Sequence, residues 1–142
     1  MPTMIPSHKQ VFLFPMLVIS MELLIIDDNQ DITNMFSKYF KLKNHHTSVV
    51  NSGENGLQMI ETQKFDVILL DLAMPNFSGR DIVDHLYKNN KINSHKIVVL
   101  TASSVSDDDK TYLQNKGVHS ILRKPIDPDE LLNYVEKINS HG

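Results

Sequence analysis

The chain has 142 residues, 14 Lys plus Arg against 17 Asp plus Glu for a formal net charge of -3, and 41% hydrophobic residues. That length holds one domain able to bury a core without staples, and the composition is that of an ordinary soluble globular protein. With no Cys, disulfides, thiol catalysis and Cys-ligated zinc or iron–sulfur centres are excluded and a reducing, cytoplasmic setting is expected, while the mild acidity disfavours nucleic acid as a partner.

Residues 1–20 carry Pro2, Pro6 and Pro15, no acidic residue, and an apolar run over 11–19. The run is too short to span a bilayer and Pro15 interrupts it, so no stable membrane insertion is expected. Ser20-Met21-Glu22 offers no small-x-small cleavage site. The segment reads as a tail, disordered or translated from a start assigned upstream of Met21, and residues 21–142 as the domain. Apolar runs and helical periods then alternate. Residues 23–26, 67–70 and 97–100 are continuous apolar runs of four, as in strands buried on both faces of a parallel sheet; 49–50 and 118–122 are weaker candidates. Ile32, Met35, Phe36, Tyr39 and Phe40 share one helical face. Leu57 with Ile60, then Ile82, Val83 and Leu86, then Leu131, Leu132, Val135 and Ile138 repeat the period, and Tyr112 with Leu113 gives a fourth helix a thin stripe. Ser78-Gly79-Arg80-Asp81 predicts a capped helix start, Gly117 a helix C-cap, and Pro128 a first helical position. Five βα units predict an α/β fold, a doubly wound five-stranded parallel sheet with five helices on its two faces.

The chemistry lies at the end of each run. The first ends in Asp27-Asp28, the second in Asp71, the third in Thr101, and the fifth strand leads into Lys124-Pro125. In an open parallel sheet all carboxyl ends of strands share one edge, where ligands bind at the switch point. Three carboxylates there repel, and a divalent cation compensates them; all-oxygen ligation points to Mg²⁺ or Mn²⁺. A lysine and a threonine beside such an ion suit a phosphoryl group. Asp71, after the buried central run, is the candidate nucleophile.

Over 22–139 the sequence resembles the receiver domain of two-component response regulators, of the stand-alone chemotaxis-regulator kind. The resemblance is carried by Asp27-Asp28, by Asp71-Leu72-Ala73-Met74-Pro75 with Gly79 after it, by Thr101-Ala102, and by Lys124-Pro125, in that order and spacing. It implies the flavodoxin-like strand order 2-1-3-4-5 and a phosphoacceptor signalling domain rather than an enzyme with its own substrate. A histidine kinase or histidine phosphotransfer protein would donate to Asp71, and the signal would pass to a downstream protein by contact or by onward phosphotransfer. The resemblance further implies Mg²⁺ held by Asp28, Asp71 and the Ala73 carbonyl with Asp27 acting through water, Lys124 pairing with the phosphate after a cis bond to Pro125, and Thr101 with the Ala102 N–H turning toward the phosphoryl group. Two positions depart from the family pattern. Ile121 stands where a switch aromatic is usual, and Ala73 where many relatives are polar, which with Ser103 leaves one short hydroxyl beside the phosphate.

Each feature has a plainer reading. Asp27-Asp28 also suits a helix cap, Asp107-Asp108-Asp109 the charged first turn of the fourth helix, and His45-His46 a loop before the second strand without metal-binding spacing. Two other functions fit parts of the pattern. An aspartyl-phosphate phosphatase or phosphotransferase normally needs a second Asp where Ala73 stands, and a non-phosphorylated flavodoxin-like binding module would have no use for a filled acidic site.

Overall fold

The computed structural model describes residues 19–102 and 104–140. The readings made for residues 1–18 and for Ser103 lie outside the described residues. The elements run β1 (Glu22–Ile26), α1 (Gln30–Leu42), β2 (His46–Val50), α2 (Gly53–Thr62), β3 (Val67–Leu70), α3 (Gly79–Lys88), β4 (Ile97–Thr101), α4 (Asp107–Lys116), β5 (Ser120–Arg123) and α5 (Pro128–Ser140), with a 3₁₀ turn at Ile92–Ser94 before β4. All strand pairs are parallel and the order is β2-β1-β3-β4-β5.

Alternation along the strands divides the core in two. Leu24, Ile26, Ile68, Leu70, Ile97 and Val99 face α2, α3 and α4, where Ile60, Ile82, Val83, Leu86 and Leu113 meet them. Leu23, Ile25, Val67, Leu69, Val98 and Leu100 face α1 and α5, against Phe36, Phe40, Leu131, Leu132 and Val135. Each such side chain contributes roughly 1.5–3 kcal/mol through burial. β1, β3 and β4 are the strands read from continuous apolar runs. The edge strand β2 begins at His46, earlier than its Val49-Val50 signal, because its exposed first position and half-buried later ones tolerate His, Thr and Ser. β5, the other edge, starts at Ser120 rather than Val118, which packs below the strand against the α3 side of the core. Met35 leaves the predicted α1 face and is 47% exposed, since the face that meets the core is centred on Phe36 and Phe40, with Ile32 and Tyr39 beside them.

The capping signals explain the helix ends. Ser78 accepts from the Asp81 N–H while the Asp81 carboxylate accepts from the Ser78 N–H, closing the capping box of α3. Gly117 ends α4 with φ +115°, a left-handed position that a side chain strains. Gly79 is required for space: a Cβ there would lie 2.2 Å from the carbonyl oxygen of Asp71. The start of α3 is therefore seated on the backbone of the β3–α3 loop.

Candidate functional site

Strand order reverses between β1 and β3, which lie side by side with Ile26 opposite Leu70. One step beyond that pair come Asp27-Asp28 and Asp71, so the crevice at the switch point is lined by carboxylates. Ligand oxygens of Asp27, Asp28 and Asp71 all lie within 4.8 Å of one another. Asp27 and Asp71 are buried and Asp28 is exposed, which leaves the cluster one open side. Lys124, just past β5, reaches across the edge: its Nζ is 2.5 Å from Asp27 Oδ2 and 4.0 Å from Asp71 Oδ1. The Lys124–Pro125 peptide is cis, as the resemblance implies, and the Lys124 N–H donates to the Thr101 carbonyl at 2.9 Å. Thr101 itself is buried at the last position of β4, with Ala102 exposed after it.

Electrostatics follow from this crowding. Burial and the Asp27 charge push the Asp71 carboxyl up to about 6; Lys124 and the Ala73 N–H pull the other way, and Asp28 adds a smaller upward push. The donor set, three carboxylates with one side open to water, is composed of hard oxygen ligands and fits Mg²⁺ or Mn²⁺ better than zinc or copper. A cation there would relieve the repulsion among these carboxylates.

Two readings of the sequence are corrected. The cap of α1 is not the acidic pair but Asn29, whose side chain accepts from the Ile32 N–H at 3.2 Å; the helix starts too late for Asp27 or Asp28, and the Asp27 carboxylate instead accepts from the Asn29 N–H at 2.9 Å. His45 and His46 do not share a loop. His46 opens β2 and pairs with Glu22, while buried His45 accepts from the Met21 N–H at 3.0 Å and meets Glu136 of α5, also at 3.0 Å. Asp107-Asp108-Asp109 does form the first turn of α4. Ile121 lies on β5 opposite Val99, half-buried against the α3 side of the core.

One positioning residue escaped the sequence reading. Asn51, just after β2, donates from Nδ2 to the Asp27 carbonyl at 2.8 Å and to Thr33 Oγ1 at 3.3 Å, which ties the acidic loop to the neighbouring strand end. A lone Asn before a Ser-Gly turn looks like turn chemistry, so nothing in the linear pattern singles it out.

Comparison with known proteins agrees with this geometry. Residues 23–136 match the family model of the response regulator receiver domain. Response regulator SaeR of Staphylococcus aureus (strain USA300) is 31% identical over 110 residues, covering 78% of this chain and 46% of that protein, so the chain spans about half the length of this curated relative. Among solved structures, the receiver domain of the Francisella response regulator 1452 superposes with TM-score 0.77 at 28% identity, covering 86% of this chain and 98% of that one. The signal receiver domain of a putative Luxo repressor protein from Vibrio parahaemolyticus gives 0.74 at 27%, covering 87% and 95%. An acidic crevice at the β1–β3 switch point, a lysine crossing to it from β5 and a family match over most of the fold lead to one assignment: the chain belongs to the response regulator receiver domain family.

Proposed function

We propose that Asp71 accepts a phosphoryl group from the phosphohistidine of a sensor kinase or a histidine phosphotransfer protein, and that the domain signals by protein contact or by onward transfer. The supporting observation is the convergence of Asp71 with Asp27, Asp28 and Lys124 at one sheet edge. An Asp71 oxygen attacks phosphorus, the O–P bond forms as the donor N–P bond breaks, and the electron pair leaves with the imidazole. Asp28, Asp71 and the Ala73 carbonyl would hold Mg²⁺, with Asp27 beside them through water. When bound, the ion neutralises phosphoryl oxygens and offsets carboxylate repulsion.

The remaining work belongs to the chain. Lys124, resting on Asp27, is within 4.0 Å of Asp71 and needs only a side-chain shift to meet a phosphoryl oxygen. Thr101 and the Ala102 N–H stand at the adjacent strand end as donors to another. Asn51 holds the Asp27 backbone so that the carboxylates stay aimed. Family members act as signalling domains, and a cytoplasmic setting suits a partner kinase. Among the described residues no helix is long and apolar enough to cross a membrane.

Incubation with acetyl phosphate and Mg²⁺ is expected to add one phosphoryl mass to the wild type and none to Asp71→Asn. Equal labelling of both would place the nucleophile elsewhere, and sustained multiple turnover of the donor, with correspondingly rapid loss of label, would favour a phosphatase.

A further inference from the structure

The parallel sheet that collects acidic residues at the carboxyl ends of its strands collects the C-terminal ends of its helices at the opposite edge. Lys41, Lys88, Lys116 and Lys137 stand in the last turns of α1, α3, α4 and α5, and Lys64 follows α2. The stretch 88–96, which leads from α3 into β4, adds Lys91, His95 and Lys96 and holds no acidic residue. The carboxylates at this edge are engaged. Glu22 pairs with His46, Asp66 accepts from the Glu22 N–H at 2.7 Å, Glu136 meets His45, and Glu61 lies 3.5 Å from His85 and 3.8 Å from Lys91. Lys41, Lys64, Lys88 and Lys137 are exposed and form no ion pair among the described residues. A chain of net charge -3 thus carries a positive edge opposite its acidic one.

Helix dipoles explain a lysine at each helix end. They do not explain the apolar residues beside those lysines. Ile19 and Leu42 are the most exposed large hydrophobic residues among those described, at 78% and 75%, and both belong to this edge. Ser20 Oγ donates to the Asn44 carbonyl at 2.7 Å, which brings the chain into the domain next to the end of α1. Tyr87, also exposed, stands in the last turn of α3 with Lys116 Nζ 4.1 Å from its ring centroid. In the sequence Ile19 ends the apolar run over 11–19, with Phe12 and Phe14 in it, so that run joins the domain at its basic edge.

We propose that this edge and the run over 11–19 together seat the protein on an anionic lipid surface, with the acidic edge facing away. A run of that length, interrupted by Pro15, is too short to span a bilayer and long enough to enter the headgroup boundary. One such segment gives only weak, reversible attachment unless a basic surface adds to it. Lysines near an anionic leaflet supply that second signal, through an attraction that salt screens. Two clefts that share Ser94 and His95 open at the same edge, one walled by Lys96 and the other by Lys64 and Lys91, and offer polar walls to phosphate-bearing headgroups. The same leaflet repels the carboxylates of the opposite edge, so Asp71 stays on the water side, within reach of a partner protein.

Sedimentation of the full chain with vesicles tests this, using phosphatidylcholine alone and phosphatidylcholine with about one third phosphatidylglycerol. Partition onto the anionic vesicles is expected to exceed that onto the neutral ones by at least roughly tenfold, and to be lost when salt is raised to about 0.5 M. Lys41→Gln, Lys64→Gln and Lys137→Gln together are expected to weaken it by roughly a hundredfold, about fivefold per lysine. Phe12→Ser with Phe14→Ser, which leaves the charge unchanged, is expected to weaken it by roughly tenfold or more. On anionic vesicles, amide exchange of the wild type is expected to slow across 41–46 and 88–96 and to stay unchanged across 72–77. Equal partition onto neutral and anionic vesicles would overturn the proposal, as would full binding by either variant or protection of 72–77 in place of the basic edge. Full binding by the phenylalanine variant would make the edge a general polyanion surface. If a variant does not fold, the salt dependence and the exchange pattern of the wild type carry the test.

Discussion

The two helices that flank β5 in the chain are attached to the same sheet by opposite means. α5 buries Leu131, Leu132, Val135 and Ile138, and polar contacts add to that face: Glu136 meets His45, the Tyr134 hydroxyl donates to Ser120 Oγ, and the Ile138 carbonyl accepts from Lys96. α4 buries Leu113 and otherwise rests on charged and aromatic side chains shared with α3. Apolar burial is non-directional and grows with area, so a helix held that way stays where the core puts it. Hydrogen bonds and ion pairs are directional and water competes for them, so a helix held by them is placed accurately yet released cheaply. One is held mainly by buried apolar area and the other mainly by directional contacts, and the second follows Thr101 in the chain.

The largest expected effect tests the helix held by apolar area. Leu131 is fully buried, and Leu131→Ala is expected to cost about 2–5 kcal/mol in a denaturant or thermal melt. Tyr112→Phe, on the other helix, is expected to cost much less globally while changing exchange locally. Equal losses in the two variants would erase the distinction between the helices.

The next effect concerns the acidic edge that both helices serve. Asp71 has its folded-state carboxyl raised to about 6 from 3.8, so its ionised form is disfavoured by the fold. The penalty is therefore fully present above pH 6, is relieved as pH falls through that value, and has gone below the ordinary carboxylate range. Discounted for the solvent that screens a partly open site, it amounts to about 1–2 kcal/mol. Asp71→Asn in metal-free buffer at pH 7.5 is expected to melt a few degrees above the wild type, with the gap closing toward pH 4. Adding Mg²⁺ is expected to raise the wild type more than the variant. A variant that melts below the wild type at pH 7.5 would show that Asp71 is not under the repulsion described.

Much of this was readable in the linear sequence because the signals are local or periodic. Continuous apolar runs mark β1, β3 and β4 since those strands are buried on both faces, and the residues just after them mark the site since a parallel sheet collects its strand ends. The capping box at Ser78 and the left-handed Gly117 are short-range rules and stand where expected. What stayed hidden depends on partners distant in sequence. Asn51 acts on a loop 24 residues away, His45 on Glu136 91 residues away, and Tyr112 on Asp84 28 residues away. Tyr112 read as part of an apolar stripe because a ring does pack inward; its hydroxyl partner lies on a helix whose position only the fold supplies. The cap of α1 was misplaced for a smaller reason, since Asp, Asn and Ser are near equal as caps and only the exact strand end chooses among 27, 28 and 29.

The smallest effect separates the two helices without any mutation. Side chains of the Arg80–Asp109 pair are 38% and 45% exposed, and those of the Lys116–Asp84 pair 26% and 41%. Raising salt from about 0.05 M to about 0.5 M shortens the Debye length several-fold, and such exposed pairs are weak to begin with. Screening is therefore expected to speed amide exchange across 107–116 by about two- to fivefold. The short Tyr112–Asp84 bond depends less on screening and limits the gain. Exchange across 128–140 is expected to stay unchanged, because salt does not weaken the burial of Leu131, Leu132 and Val135. Exchange mass spectrometry at the two salt levels reads both segments from one sample. Equal acceleration in both would mean that charge holds α5 as much as α4, and α4 would lose its claim to be the part released by electrostatics.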